Sequence, residues 1–533
     1  MATPTDSRAT TPKEELDLQF NGGAFAEMPT TLAGEPGKAK PQDIPWRVKL
    51  PPLLAVMVFN CACYWFSSSL GPIKSTLKKE LGIDNAQYGV ISTSGSLVNT
   101  VVPFFSGILI DYYGSEWLSL TASVIIFLGA LLAGIGASIS SYGLLVTGEV
   151  VVGFGSISIE TCQLKIISHW LFGTHLGLAL GLNNAVNRVI VIVAKATAIP
   201  IVNASNWTWV IWVPVFLSGF VLLINTLYVF YESRIDARYR PMTGRQAAAL
   251  HMRNGGKGGL RTEMQKAWAV VWGLPAFFWY MTLTQILQNG LVQTFVSLQA
   301  DMVSVTRGAG LLSAGWISAV AQVPVIVLAP ATGAFFDRFG FRMHFVPVSA
   351  IFFIVLFCLM GWTDANAIGL SLAINLIPFT VAITLLVPSL HQIGVAQGCY
   401  QAFINSGHVI VSTAAGAIQD KTPTGRYSYS NVLYFFIGVK ALDVLFGLSY
   451  IILDRTHLSS LLTRPERARK SSEQPSHAYP ALEKGEKGEV EERAEEKPWM
   501  LRPGAGWTTA GLVMGLVMTV VAWAVYLVYS QGS

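Results

Sequence analysis

Long apolar runs separated by short polar stretches dominate the chain. Runs long enough to cross a bilayer fall near 49–70, 86–111, 116–137, 142–168, 174–203 and 207–231. A second set falls near 266–299, 308–336, 342–362, 366–389, 394–419 and 430–453. The polar stretch 232–265 divides them six and six, and an uncharged run from Trp507 to Tyr529 adds a thirteenth. The pattern predicts an all-α polytopic membrane protein. It has two six-helix bundles, 46–231 and 266–455, and one extra C-terminal transmembrane helix at 507–529. A polar tail (1–45) precedes the bundles, and a charged linker (456–506), alternating acids and bases from Glu483 to Lys497, follows them. The appended helix is expected to serve targeting or assembly rather than the transport core.

The two halves share a signature. Gly107-Ile-Leu-Ile-Asp111-Tyr-Tyr-Gly114 returns as Gly333-Ala-Phe-Phe-Asp337-Arg-Phe-Gly340, each at the end of an apolar run and a few residues after a proline, Pro103 or Pro330. Repetition of one turn in equivalent places is the mark of a transporter built from parallel repeats. The first glycine lets a neighbouring helix approach, the aspartate sits where a helix end meets water, and the closing glycine permits a reversal. These six positions are expected to form gating turns rather than the substrate site.

Composition agrees with the pattern. Charged residues make up 13% of the 533, against about a quarter in soluble domains, and 52% are hydrophobic. The net charge of +5 does not point to nucleic acid, because the basic residues lie in loops beside spans. Arg234, Arg238, Arg240, Arg245, Arg253, Lys257, Arg261 and Lys266 face only Glu232, Asp236 and Glu263, which makes 232–265 a basic cytosolic loop. Both flanking tails are then cytosolic. The sequons Asn203-Ala-Ser and Asn206-Trp-Thr fall on the opposite side, as glycosylation acceptors require. Lys74, Lys78 and Lys79 dissent, because they lie in the first outer loop. The five cysteines all fall in apolar runs and read as core thiols, with no metal site, no cofactor and no nucleotide-binding loop.

Ionisable groups within spans cost about 2.5–3.5 kcal/mol each, so each asks for a reason. The fourth span carries Glu149 and Glu160, and the fifth carries Arg188 and Lys195. In an antiparallel hairpin turning near Gly173, Glu149 matches Lys195 in depth and Glu160 matches Arg188. Glu149 and Lys195 are expected as a structural ion pair. Glu160 and Arg188 lie near the midplane, where such transporters hold substrate, and Gln163 and Asn184 extend the same faces. An arginine fork for a carboxylate and a glutamate for an ammonium would together hold a zwitterion. Tyr64 with Asn60 on the first span, Gln288 on the seventh, and Asn405 and His408 on the eleventh are further candidates for the cavity wall; for His408 a hydrogen-bonded core role stays equally open. Lys440 and Asp443 read as an internal pair.

The six-plus-six plan with a Gly-x-x-x-Asp-x-x-Gly turn after spans two and eight resembles the major facilitator superfamily over about 49–455. The basic residues that usually follow this turn are absent from the first copy, Gly114-Ser-Glu116, and partly present in the second as Arg338 and Arg342. Gly148-Glu-Val-Val-Val-Gly-Phe-Gly155, Gly181-Leu-Asn-Asn-Ala-Val-Asn-Arg188 and Val387-Pro-Ser-Leu-His-Gln-Ile-Gly-Val-Ala-Gln-Gly398 are similar to its lysosomal dipeptide transporter branch. That resemblance implies a dipeptide uniporter in a lysosomal or vacuolar membrane, working with a single-span accessory membrane glycoprotein, with Arg188 toward the peptide carboxylate. The branch's span-four glutamate position is Ile157 here, with Glu160 one turn further on; its span-one aspartate position is Trp65; and the thirteenth span is additional. Two other readings stand beside it: a proton-coupled organic-anion or sugar carrier, and a non-transporting membrane receptor or scaffold.

Overall fold

A computed structural model describes residues 44–171, 176–236, 239–240, 260–326, 339–362, 390–423, 425–458 and 504–531, with single positions at 328, 331, 335, 460, 462 and 463. The described residues are helical, and eight of the helices are long and apolar enough to cross a membrane. In chain order they are α1 (Trp46–Val58), α2 (Cys61–Ser69), α3 (Lys74–Leu81), α4 (Asn85–Val98), α5 (Val102–Tyr113), α6 (Ser115–Ser138), α7 (Tyr142–Leu171), α8 (Leu176–Ala204) and α9 (Thr208–Arg234). The second half contributes α10 (Leu260–Trp272), α11 (Ala276–Arg307), α12 (Leu311–Val320), α13 (Phe345–Trp362), α14 (Leu390–Asp420) and α15 (Ser430–His457), and α16 (Ala505–Ser530) completes the order. The tenth expected span, 366–389, lies outside the described residues. "Outer" below means the side opposite the basic loop.

Three expected spans are interrupted, the second and eighth of them just before a proline. The first breaks at Phe59–Asn60 between α1, which contains Pro51 and Pro52, and α2. The second breaks at Asn99–Val101, just before Pro103 opens α5. The eighth breaks at Ala321–Gln322, before Pro324. Proline has no amide hydrogen, and its ring restricts the residue before it, so the helical ladder is weakest there. The expected run 266–299 is likewise two helices. Gly273 and Pro275 end the amphipathic α10 and start α11, which then runs to Arg307. Composition alone merged them because Val270 to Trp272 keep the apolar run unbroken.

Packing within each half depends on missing side chains. A Cβ on Gly148 of α7 would lie 2.4 Å from the Ala133 amide nitrogen of α6, and one on Gly153 would lie 2.7 Å from Gly95 Cα of α4. Small residues let membrane helices approach until dispersion and weak polar contacts hold them, since lipid offers no hydrophobic drive between helices. In the other half α11 and α14 cross at Gly290 and Gly407. The outward face of α9 leaves Phe216, Phe220, Leu223, Leu227 and Phe230 exposed, as lipid contact requires. The closing glycines of the repeated octet adopt the expected positive φ, 94° at Gly114 and 77° at Gly340. Gly107 and Asp111 have helical backbone at the end of α5, while Gly333 and Asp337 lie outside the described residues.

Candidate substrate site

The hairpin expectation fails at both charge pairs. α8 packs against α2 of its own half and against α12 of the other half, and touches α7 little. Its cations therefore point away from α7. The Lys195 ammonium, almost fully buried, donates to the Val296 carbonyl (3.1 Å) and Gln299 Oε1 (3.4 Å) on α11. Arg188 Nη1 donates to Gln322 Oε1 (3.4 Å) at the break after α12. Glu149 is buried on the face of α7 that meets Gly95 of α4, with no bonded cation. Spans four and five are not face-to-face neighbours, so equal depth did not mean contact.

Tyr64 nevertheless unites the second pair. It lies within electrostatic reach of both Glu160 and Arg188. Glu160 is solvent-exposed. Asn184, one turn from Arg188, is exposed as well, and Arg188 itself is half-buried. Tyr64 thus stands between an anion and a cation that, among the described residues, form no ion pair with each other.

The other candidates are engaged elsewhere. Gln163 is 2% exposed and spends both ends of its amide on the broken first span. Its Nε2 donates to the Val56 carbonyl (2.7 Å), and its Oε1 accepts from Asn60 Nδ2 (2.8 Å). That carbonyl also accepts from the Phe59 amide at the end of α1 (3.1 Å), so the Gln163 side chain is its second donor. Gln288 donates to the Val439 carbonyl of α15 (2.9 Å) and is buried. The polar stripe of α11 faces α15, where Gln285 meets Asp443 (3.2 Å) and Lys440 bonds Asp443 (2.8 Å). Lys440 and Asp443 therefore form the internal pair expected. Asn405 donates to Gln401 O of its own helix (2.8 Å) and is half-buried. His408 Nδ1 pairs with Ser96 Oγ of α4 (2.9 Å), placing it between the halves.

Two features escaped sequence reading. Gln322 is a single amide in an otherwise apolar run; its only signal was its place two residues before Pro324. The dissenting outer lysines are the second. Lys74 of α3 is 1% exposed and contacts three residues of the opposite half: Asp301 Oδ2 (3.1 Å), Gln419 Oε1 (2.9 Å) and the Tyr429 hydroxyl (2.9 Å). Tyr429 in turn donates to Asp301. Burial lowers the Lys74 ammonium from its ordinary pKa, and the Asp301 carboxylate opposes that. Beside it Asp420, ending α14, accepts from Asn85 Nδ2 (2.6 Å) and the Ala86 amide (3.1 Å) at the N-terminus of α4. A Cβ on Gly71 would sit 2.6 Å from the Ser297 carbonyl oxygen. The halves are clasped at the outer face. All five cysteines are free, and no cluster of three or more metal-ligating side chains occurs among the described residues.

Two helical halves, clasped on one face, with unneutralised charges between them, define a membrane carrier of small solutes rather than an enzyme. Residues 56–412 match the Major Facilitator Superfamily, and the chain belongs to that family. It is 22% identical over 468 residues to the lysosomal dipeptide transporter MFSD1 of Homo sapiens, covering 84% of this chain and 96% of that protein. The Danio rerio protein of the same name is 21% identical over 383 residues, 69% of this chain and 80% of its own length. Among solved structures, a mutant of the nucleoside transporter NupG superposes with a TM-score of 0.54 at 16% identity, over 75% of this chain and 99% of that one. A D-xylose-proton symporter superposes with 0.53 at 12%, over 75% and 96%. These two likenesses establish the fold alone.

Proposed function

We propose that this transporter moves dipeptides from a lysosomal or vacuolar lumen to the cytosol, as a uniporter working by alternating access. The observation that carries this reading is the position of Tyr64, within electrostatic reach of both the exposed Glu160 and the half-buried Arg188. Among the described residues, Arg188 is bonded only to a neutral amide and Glu160 to no cation. Two opposite charges held apart form a receptor for a molecule that carries both. The substrate carboxylate meets the Arg188 fork, its ammonium meets Glu160, and Asn184 borders the site. Likeness to proteins named for dipeptide transport over most of the chain supports the same substrate class and membrane. A single-span accessory glycoprotein belongs to the same proposal. The bundles 46–231 and 266–455 are the rocking units, with the Gly-x-x-x-Asp-x-x-Gly turns at their cytosolic hinge.

Thermal stabilisation of the purified protein by a panel of dipeptides, amino acids, sugars and organic acids tests the reading. Dipeptides with free termini should stabilise, their C-terminal amides should not, and Arg188→Ala should abolish the effect. Stabilisation by another class alone, or unchanged flux in Arg188→Ala, sinks it. A second reading, proton coupling, is favoured by one observation, the buried Glu149 carboxylate with no bonded cation. Flux in vesicles that stops when the proton gradient is collapsed would select it.

A further inference from the structure

The thirteenth helix is built to pack, with a face that the twelve-helix plan does not require. Thr508, Gly511, Gly515, Ala522 and Tyr526 are its buried positions. They are spaced by three, four, seven and four residues, the seam of a helix lying along others. The opposite face, including Val513, Leu516, Val517, Val520 and Val528, is exposed as lipid contact demands.

Along its length the seam changes partner. At the cytosolic end it lies on the second half only. Trp507 meets Tyr280 of α11 with ring centroids 6.5 Å apart. Trp279 of α11 fills the notch at Gly511, and Phe403 of α14 fills the notch at Gly515. Ser406 and Thr519 hydroxyls approach to 3.4 Å. Toward the outer end it crosses to the first half. Ala522 and Tyr526 join Val90 and Leu97 of α4 and Val409 of α14 in one small core. Trp523 Nε1 donates to Thr100 Oγ1 (3.2 Å), and the Tyr526 hydroxyl bonds Ser94 Oγ (2.8 Å) in a buried setting.

Position decides what this does. α4 and α14 press together in the outer leaflet, where a Cβ on Gly416 would lie 2.7 Å from the Asn85 carbonyl oxygen. Opening the outer face requires that these two helices part. A helix seated on α14 and bonded to α4 resists that parting and leaves the cytosolic side unopposed. We propose that the thirteenth helix is a strap holding the transporter in its outer-closed state, with the Tyr526–Ser94 and Trp523–Thr100 bonds as its fastening. The fastening breaks each time the outer face opens. The strap thereby sets the resting balance of the cycle, whatever the solute.

The test measures distances between nitroxides on Glu80→Cys and Lys421→Cys, exposed residues at the outer ends of the two halves. The full chain is used in lipid nanodiscs, with the five native cysteines replaced. Interhelical bonds of this kind shift an equilibrium about threefold to tenfold each. Tyr526→Phe with Trp523→Phe should therefore raise the ratio of long to short distances about tenfold or more. Ser94→Ala should match Tyr526→Phe, and adding it to Tyr526→Phe should change nothing further. Trp507→Ala, altering only the cytosolic end, should leave the distribution unchanged. A folded double variant with the parental distribution overturns the proposal, and so does a shift of equal size in Trp507→Ala.

Discussion

Lys74→Met removes the centre of the outer clasp while keeping a side chain of similar length. In the outer-closed state Lys74 is bonded to Asp301, Gln419 and Tyr429, all from the other half. Its removal leaves the Asp301 carboxylate with the Tyr429 hydroxyl and leaves Gln419 Oε1 without its donor. Deleting one member of a buried pair costs about 3–5 kcal/mol, because the survivor is a charge without compensation. The Asp301 side chain retains 10% exposure and one good hydrogen bond, so the lower end applies, about 3 kcal/mol. When the outer face opens, Asp301 reaches water and the loss is relieved. The whole cost therefore falls on the outer-closed state and shifts the balance toward opening by more than about a hundredfold.

The nitroxide pair at positions 80 and 421 reads this directly, and flux should slow as the closed state becomes scarce. Lys74→Met with Asp301→Asn removes both charges and should restore most of the closed population, since a buried pair replaced whole is close to neutral. Raising salt should do little to the parent, because a buried pair is poorly screened. Equal populations in the parent and Lys74→Met would refute the clasp. If the double variant is as open as the single one, the loss is one of packing rather than uncompensated charge.

Three further outcomes follow from the same geometry. Gln163→Leu should lower stability by about 1 kcal/mol by leaving the Asn60 amide without its acceptor, while the Val56 carbonyl keeps the Phe59 amide and solute affinity of the folded fraction stays unchanged; thermal unfolding and binding titration separate the two. Lys440→Met should destabilise by about 3 kcal/mol or more, whereas Lys440→Met with Asp443→Leu should cost much less, as a double-mutant cycle on unfolding midpoints would show. Gly407→Ala should abolish the monodisperse peak in size-exclusion chromatography, because its Cβ would overlap the Ile286 carbonyl oxygen where α14 crosses α11.

The all-helical plan was legible because bilayer thickness forces apolar runs of a fixed length, and a repeated glycine turn is visible without any contact information. Breaks at Phe59–Asn60 and Ala321–Gln322 were less legible. A proline weakens a helix, but whether it bends or breaks depends on which side chains meet the interrupted turn, and Gln163, which bonds Val56 and Asn60 across the first break, lies about a hundred residues from both. The charged residues of the fourth and fifth spans stand out in the sequence, but their partners do not. Depth follows from counting residues along a span, while azimuth and neighbour order follow from the three-dimensional arrangement. Lys74 does lie on the outer side, against the positive-inside trend, and what holds it there was not legible for the same reason: its partners Asp301, Gln419 and Tyr429 lie more than two hundred residues away.

The corrected neighbour order changes what the span-five cations do. Had Arg188 and Lys195 paired with Glu160 and Glu149, they would have stiffened one half and contributed nothing to its motion against the other. Bonded instead to Gln322 and Gln299, both cations cross the plane where the halves rock. The two links differ in kind. Lys195 is almost fully buried and also holds the Val296 carbonyl, so it belongs with the outer clasp. Arg188 is half-buried and held by a single 3.4 Å contact to a neutral amide, a bond that a carboxylate would readily displace. Among the described residues, Gln322 Nε2 is buried without a partner. A carboxylate taken by Arg188 would present that amide with the acceptor it lacks, so an occupied site would tie α8 to α12 more strongly than an empty one. Occupancy and rocking would then be coupled through a residue at a helix break. The coupling free energy has a measurable sign: in Gln322→Leu, solute should still bind at Arg188 but should no longer favour the closed arrangement of the halves.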